Sequence, residues 1–207
     1  MKNIKGHIKI LALVFAGLAF VTCSRQHVTE LGPREYVDWF GHQKEGQIVK
    51  KINNVEFSLT YLPADYMLLL NNPDAAMKGT QTDSTLAEYE QYDYYLYQVK
   101  IDDYTDELAK YKLTTDAEYS ARIQYYAFDM QHDIYETIKT GDSLPCIIYN
   151  YERNYGISPE NRFVIGFKRG QGEGERTVTI NNRFLAAGTI KFTVTPEYIK
   201  HLPVLKN

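Results

Sequence analysis

The sequence predicts an α+β fold: a mainly antiparallel sheet of roughly six to eight strands with a few short helices. Three observations carry this. Residues 55–61, 163–167 and 190–194 alternate apolar and polar with period two, the mark of strands with unlike faces. Strand-like runs cluster while helical ones are interspersed, without the regular βαβ order of a doubly wound parallel sheet. Finally, 207 residues with 44% hydrophobic and 24% charged content exclude a disordered chain, a fibrous rod and a many-pass membrane protein. Tyr is abundant, 18 residues, so much of the aromatic content has an apolar ring and a polar tip suited to half-buried faces and partner contact.

The elements follow in order. Gly32-Pro33 opens a helix, because Pro suits the first helical turn, and Tyr36, Val37 and Phe40 fall on one face with Trp39 beside it. Strands at 48–52 and 55–61 are joined by Asn53-Asn54, residues that tolerate positive φ; Val55, Phe57, Leu59 and Tyr61 alternate with Glu56, Ser58 and Thr60. Pro63 opens a short apolar helix to about Leu70, and 71–83 reads as loop. The longest strand spans Glu90–Asp103, apolar on both faces in its first half, where it crosses the centre of the sheet, before Gln98 and Lys100 turn one face polar. Thr115-x-x-Glu118 has capping-box spacing, and Tyr119, Ile123 and Tyr126 extend a helix over 115–128. Leu144–Tyr151 reads as one apolar strand and 162–168 as another, with Phe163, Ile165 and Phe167 on one face. Arg176–Ile180 leads through Asn181-Asn182 to a further pair, in which Gly188–Thr195 sets Ile190, Phe192 and Val194 against Thr189, Lys191 and Thr193. Gly170-Gln171-Gly172-Glu173-Gly174 lacks the context of a phosphate loop and reads as a hairpin loop.

The N-terminus addresses location. Lys2, Lys5 and Lys9 precede an apolar run from Ile10 to Val21, which fits the core of a secretory signal and falls short of the ~20 residues that span a bilayer. Cys23 follows directly, in an order that resembles the lipobox of bacterial lipoproteins, with Thr22 and Phe20 departing from its usual residues. The expected organisation is a signal peptide over 1–22, a short tether over 23–31 and one α+β domain over 32–207. Acylation of Cys23 leaves Cys146 alone and the exported protein without a disulfide. Loss of the signal takes three of the 23 Lys and Arg, leaving 20 against 26 acidic residues, net −6; such a charge gives no electrostatic ground for nucleic acid or anionic headgroups as partners. Lipid rather than a basic patch is expected to hold the chain to the membrane, through two or three acyl chains.

Catalytic signatures are absent from the sequence. His27, His42, His132 and His201 stand apart, no His-Glu-x-x-His or Cys pair occurs, and no Gly-x-Ser-x-Gly is present, so no metal, cofactor or nucleophile is expected. Cys146, in Leu144-Pro145-Cys146-Ile147-Ile148, has no neighbouring cation and reads as a buried, inert thiol. One patch stands out: Tyr149, Asn150, Tyr151, Glu152, Arg153, Asn154, Tyr155 and Gly156 put rings, charges and a turn together at a strand end. It could cradle a polar ligand or partner. Its bland alternative is a Glu152–Arg153 ion pair with the rings packing the sheet.

These pieces, with Gly32-Pro33-Arg34-Glu35-Tyr36 and Tyr61-x-Pro63, resemble a group of uncharacterised lipoproteins from Bacteroidetes. The resemblance implies an envelope location and supplies no activity. Surface-exposed lipoproteins of that phylum tend to carry an acidic run after the Cys, from which Ser24-Arg25-Gln26-His27 departs, so the periplasmic face of the outer membrane is expected. The expected role is a non-enzymatic binding or assembly component with an envelope protein partner. The competing expectation is a glycan- or peptidoglycan-acting hydrolase, with two carboxylates drawn from Asp102, Asp103, Glu152 and their neighbours.

Overall fold

A computed structural model describes residues 30–42, 46–72, 83–170 and 174–206. The fold is α+β and mainly antiparallel, as the alternation predicts. Five strands form one sheet in the order β2-β3-β4-β8-β7: β2 Ile48–Ile52, β3 Val55–Leu62, β4 Tyr92–Ile101, β7 Ile148–Glu152 and β8 Glu160–Lys168. Four form a second, β10-β9-β5-β6: β5 Ile134–Ile138, β6 Ser143–Pro145, β9 Arg176–Asn181 and β10 Thr189–Val194. A parallel pair of two-residue strands, β1 Glu30–Leu31 and β11 Val204–Leu205, brings the ends of the described chain together. Glu30 and Leu31, read from sequence as tether, are therefore part of the domain.

The larger sheet turns Phe57, Leu59, Tyr95, Tyr97, Val99, Phe163, Ile165 and Phe167 inward, all wholly excluded from solvent. They meet Val178, Ile180, Ile190, Phe192 and Val194 of the smaller sheet, with Tyr97 and Phe192 edge to face at 6.3 Å. The expected inward set Ile190, Phe192 and Val194 is buried, and the alternate residues of β10 are exposed. Asn53 has φ 55, the left-handed geometry expected of the β2–β3 turn.

Helix α1, Pro33–His42, buries Tyr36 and Phe40 as its periodicity predicts, and α2, Ala64–Asn71, begins after Pro63. Together they cover one end of the larger sheet's outer face, where Phe40 packs on Tyr66 at 5.1 Å. A helix over Asp83–Tyr89, α3, takes the last residue of the expected 71–83 loop and the stretch up to the expected Glu90–Asp103 strand, which runs over Tyr92–Ile101 instead; residues 73–82 lie outside the described part. Helix α4, Asp116–Ala127, has the expected cap: Thr115 Oγ1 accepts from the Glu118 amide at 3.1 Å, while the Glu118 carboxylate turns to the amide and hydroxyl of Thr114. A last short helix, α5, runs over Pro196–Lys200.

Three expectations are corrected. Leu144–Tyr151 is two strands in two sheets: the Cys146 amide donates to the Ile134 carbonyl at 3.2 Å, and the next amide, Ile147, donates to Gly166 in the other sheet at 2.9 Å. Pro145, which lacks a donor, ends the first piece, consistent with its place on an edge strand. The Gly170–Gly174 stretch crosses between sheets instead of closing a hairpin, since β8 and β9 belong to different sheets; residues 171–173 lie outside the described part. Eleven strands are present among the described residues rather than six to eight, because of that split, the unforeseen β5 and the two-residue terminal pair; after Asn181-Asn182 one strand, β10, follows rather than a pair.

Cys146 sits at the crossover, buried, its thiol donating to the Ile148 carbonyl at 3.1 Å, and burial pushes its pKa up to about 11. A polar thiol reagent at pH 8 should label Cys146 of the native protein many-fold more slowly than the same residue in urea. Equal rates would remove it from the core.

Candidate functional site

The sequence-predicted patch does not assemble into a site. Successive residues of β7 point to opposite faces of the sheet. Tyr149 and Tyr151 turn inward with Phe163, Tyr151 stacked on it at 4.8 Å and Tyr149 donating its hydroxyl to the Tyr126 carbonyl at 2.6 Å. Glu152 turns outward to Arg162, 2.9 Å away. Arg153 turns inward and donates to the buried Glu107 at 2.9 Å, with the Tyr119 hydroxyl joining the pair. Glu152 and Arg153 thus form ion pairs with others, not with each other. Asn154 holds the following turn by donating to the carbonyls of Ser158 and Glu160. Tyr155 is the exposed ring, at 65%, with φ 50 and the Arg153 guanidinium 4.5 Å from its ring centre. The Tyr149 and Tyr151 rings pack the sheet, while pairs with Arg162 and Glu107 stand in place of the expected Glu152–Arg153 pair.

The carboxylates of the hydrolase reading are likewise occupied or apart. Asp102 pairs with Lys51 at 2.8 Å, Asp103 occupies a tight turn at φ 56, and Glu152 is held by Arg162. Among the described residues no group of three or more His, Cys, Asp or Glu side chains is placed to hold a metal ion.

A polar cavity of about 280 Å³ lies instead on the outer face of the larger sheet, beyond the area that α2 covers. Its floor follows from strand register. Glu56, Lys100 and Glu160 form one row across β3, β4 and β8, and Ser58, Gln98 and Arg162 form the next, extended by Glu152 on β7. Thr60 and Leu96 begin a third row. Phe40, Gly41 and His42 at the end of α1 wall one side, with Gln47 at the start of β2. Arg162 is the strut between floor and wall: it donates to the Gly41 carbonyl at 3.2 Å while paired to Glu152, placing a cation at a helix C-terminus where the helix dipole favours it.

The floor is polar and withdrawn. Ser58, Thr60 and Gln98 are 5%, 4% and 9% exposed. Gln98 Oε1 accepts from Gln47 Nε2 at 3.0 Å and from Ser58 Oγ at 3.5 Å, which fixes the amide so that its NH₂ has no acceptor among the described residues. The Thr60 hydroxyl has no hydrogen-bond partner there either. These donors border the cavity, where a ligand's acceptors can reach them.

Sequence reasoning missed this site because Glu56, Ser58, Thr60, Gln98 and Lys100 read as a face turned to bulk water. The polar alternation was the available signal. That three strands align these positions under the end of α1 is a property of topology. A second hollow, of about 320 Å³ beside Phe128, Gln131, Asn150 and the rings of Tyr149 and Tyr151, carries no charged side chain.

A separate polar cluster lies between the sheets. Asp93, 1% exposed, has Arg169 and Arg176 each at 3.1 Å, and Tyr61 donates to it at 3.4 Å. Glu136, with no exposure, accepts from the Tyr95 hydroxyl at 2.6 Å. Its two carboxylates are withdrawn from solvent, while Arg169 reaches the surface.

No family model matches the sequence, and no curated protein matches it either. Among solved structures the fold is similar to a DUF4426 family protein from Pseudomonas aeruginosa PAO1, at 11% identity over 74% of this chain and 98% of that one, TM-score 0.40. It is also similar to a protein of unknown function from Burkholderia pseudomallei K96243, at 9% identity over 83% and 93% of the two chains, TM-score 0.35. Likenesses this faint bear on neither activity nor ligand.

Proposed function

We propose that this protein is an envelope lipoprotein, anchored through acylated Cys23 at the periplasmic face of the outer membrane, that works as a non-enzymatic binding component. The observation that carries the binding role is the outer-face cavity, with unbonded donors on a buried floor. The anchor rests on the order of basic residues, short apolar run and Cys23, and on the resemblance to Bacteroidetes lipoproteins. Cys23 itself lies outside the described residues. Against hydrolysis, the Glu152 carboxylate is spent on holding Arg162, and Asp102 is spent on Lys51. An envelope protein partner accords with the binding role.

Two measurements test this reading. Intact mass of the native protein should show cleavage before Cys23 and a lipid increment, both absent from Cys23→Ala, which should also leave the membrane fraction. An unchanged increment in that variant would overturn the anchor. The purified lipoprotein incubated with peptidoglycan and with soluble glycans should release no new reducing ends; release abolished by Glu152→Gln would replace the binding role with the hydrolase.

A further inference from the structure

Building on the cavity as the binding seat, we infer that its ligand is a small zwitterion bearing an ammonium and a carboxylate, of the amino-acid or short-peptide class. The inference starts from two opposite charges, both half-buried beside the cavity. Glu56 and Lys100 are register partners on adjacent strands, yet among the described residues neither forms a hydrogen bond or an ion pair. Lys51, the other neighbour of Glu56 in that row, is already taken by Asp102 at 2.8 Å. Glu160, across from Lys100, accepts from the Ser158 hydroxyl at 2.8 Å and keeps acceptor capacity on the cavity side.

A ligand with charges of both signs satisfies this row, its ammonium against Glu56 or Glu160 and its carboxylate against Lys100 between them. An anion alone would meet two carboxylates, and a cation alone would meet Lys100. Charge-assisted hydrogen bonds of this kind are about twice as strong as neutral ones. The next two rows supply neutral recognition. The NH₂ of Gln98, a side chain nine-tenths buried, and the Thr60 hydroxyl border the same space and suit a carboxylate oxygen or a peptide carbonyl. Arg162 is committed to Glu152 and the Gly41 carbonyl, so it shapes the cavity without adding a free cation.

The walls decide against a sugar. Phe40 is the one Phe, Tyr or Trp lining the cavity among the described residues. Its ring is packed against Tyr36 at 5.0 Å, Trp39 at 4.7 Å and Tyr66 at 5.1 Å, and it is 3% exposed, so no flat face is offered for a pyranose to stack on. The volume of about 280 Å³ suits a molecule of one to three residues.

Calorimetry on the mature full chain tests this with L-alanyl-L-alanine as probe and N-acetyl-L-alanine, L-alaninamide and glucose as controls. The dipeptide should bind. The acetylated and amidated compounds, each lacking one charge, should bind at least about tenfold more weakly, and glucose should give no heat. Glu56→Gln and Lys100→Met should each weaken the dipeptide about tenfold or more, and Thr60→Val, which keeps shape and removes the hydroxyl, should weaken it severalfold with no change in melting temperature. The Thr60 variant keeps the test open should a charge variant fold poorly. Equal binding of dipeptide and blocked analogues, unchanged affinity in the variants, binding of glucose, or no heat from the dipeptide would each overturn the zwitterion assignment. Failure of the wider reading shows separately, as an unacylated Cys23 or as glycan cleavage.

Discussion

Replacing Glu136 with Gln should stabilise this protein at pH 8 by about 3 kcal/mol and change it little below pH 5. Glu136 faces inward on β5, paired in register with Val178 and Leu144. Burial raises its pKa from 4.5 to about 7; the Asp93 charge adds to the rise, and the Tyr95 hydroxyl with Arg176 and Arg169 pulls it part of the way back. One oxygen, Oε1, has the Tyr95 hydroxyl, and Oε2 has no hydrogen-bond partner among the described residues, so half of the carboxylate charge is solvated by nothing. The raised value fixes the sign. Below about pH 4.5 the folded and unfolded chains both carry the proton and the stabilisation is complete; between 4.5 and 7 the folded chain keeps a proton the unfolded one has lost, and stability falls as pH rises. Above 7 the loss is complete. A Gln amide keeps the acceptor for Tyr95 and never ionises. Urea titration of both proteins at pH 5 and pH 8 gives the difference directly, free of the titration of other groups. If the variant gains nothing at pH 8, Glu136 is not the strained carboxylate this geometry makes it.

The same residue shows why the sequence did not reveal β5. Ile134, Glu136 and Ile138 share one face, and an acid in the middle of that stripe erases the apolar signal by which a strand is read. Its neutraliser is a hydroxyl forty-one residues away on another sheet. Where the period was clean the reading held: β3, β8 and β10 turn the expected residues to the core, and Asn53 makes the expected turn. Leu144–Tyr151 was misread because both halves contribute buried residues, and sequence records apolar content without recording which sheet each amide joins. Pro145 was the one local sign of a break. The cavity was half legible. Its polar residues were visible as one face of β3 and the far half of β4, while their conversion from wet surface to floor depends on α1 ending over them, a tertiary fact with no local signature.

Phe163→Ala should cost about 3–5 kcal/mol, enough to unfold a large fraction of a marginally stable domain. The ring is wholly buried and sits at the meeting point of the aromatic core: Tyr151 stacks on it at 4.8 Å, Tyr97 lies at 5.6 Å, Tyr126 at 6.1 Å and Tyr149 at 6.2 Å. These come from β4, β7 and α4, so the cavity left by truncation would be lined by elements that cannot all close on it, and the cost includes the void as well as the lost transfer energy. Tyr155→Ala, three residues past β7 and exposed, should stay within about 0.5 kcal/mol of the parent, since it gives up little more than an exposed contact with Arg153. The contrast separates two accounts of the Tyr-rich segment that sequence alone leaves open. If the rings are core, urea midpoints will shift for Phe163→Ala and not for Tyr155→Ala, and zwitterion binding will survive Tyr155→Ala unchanged. A Phe163→Ala protein as stable as the parent would mean that Tyr149 and Tyr151 are free to serve a surface, and the segment would again be a candidate for partner contact.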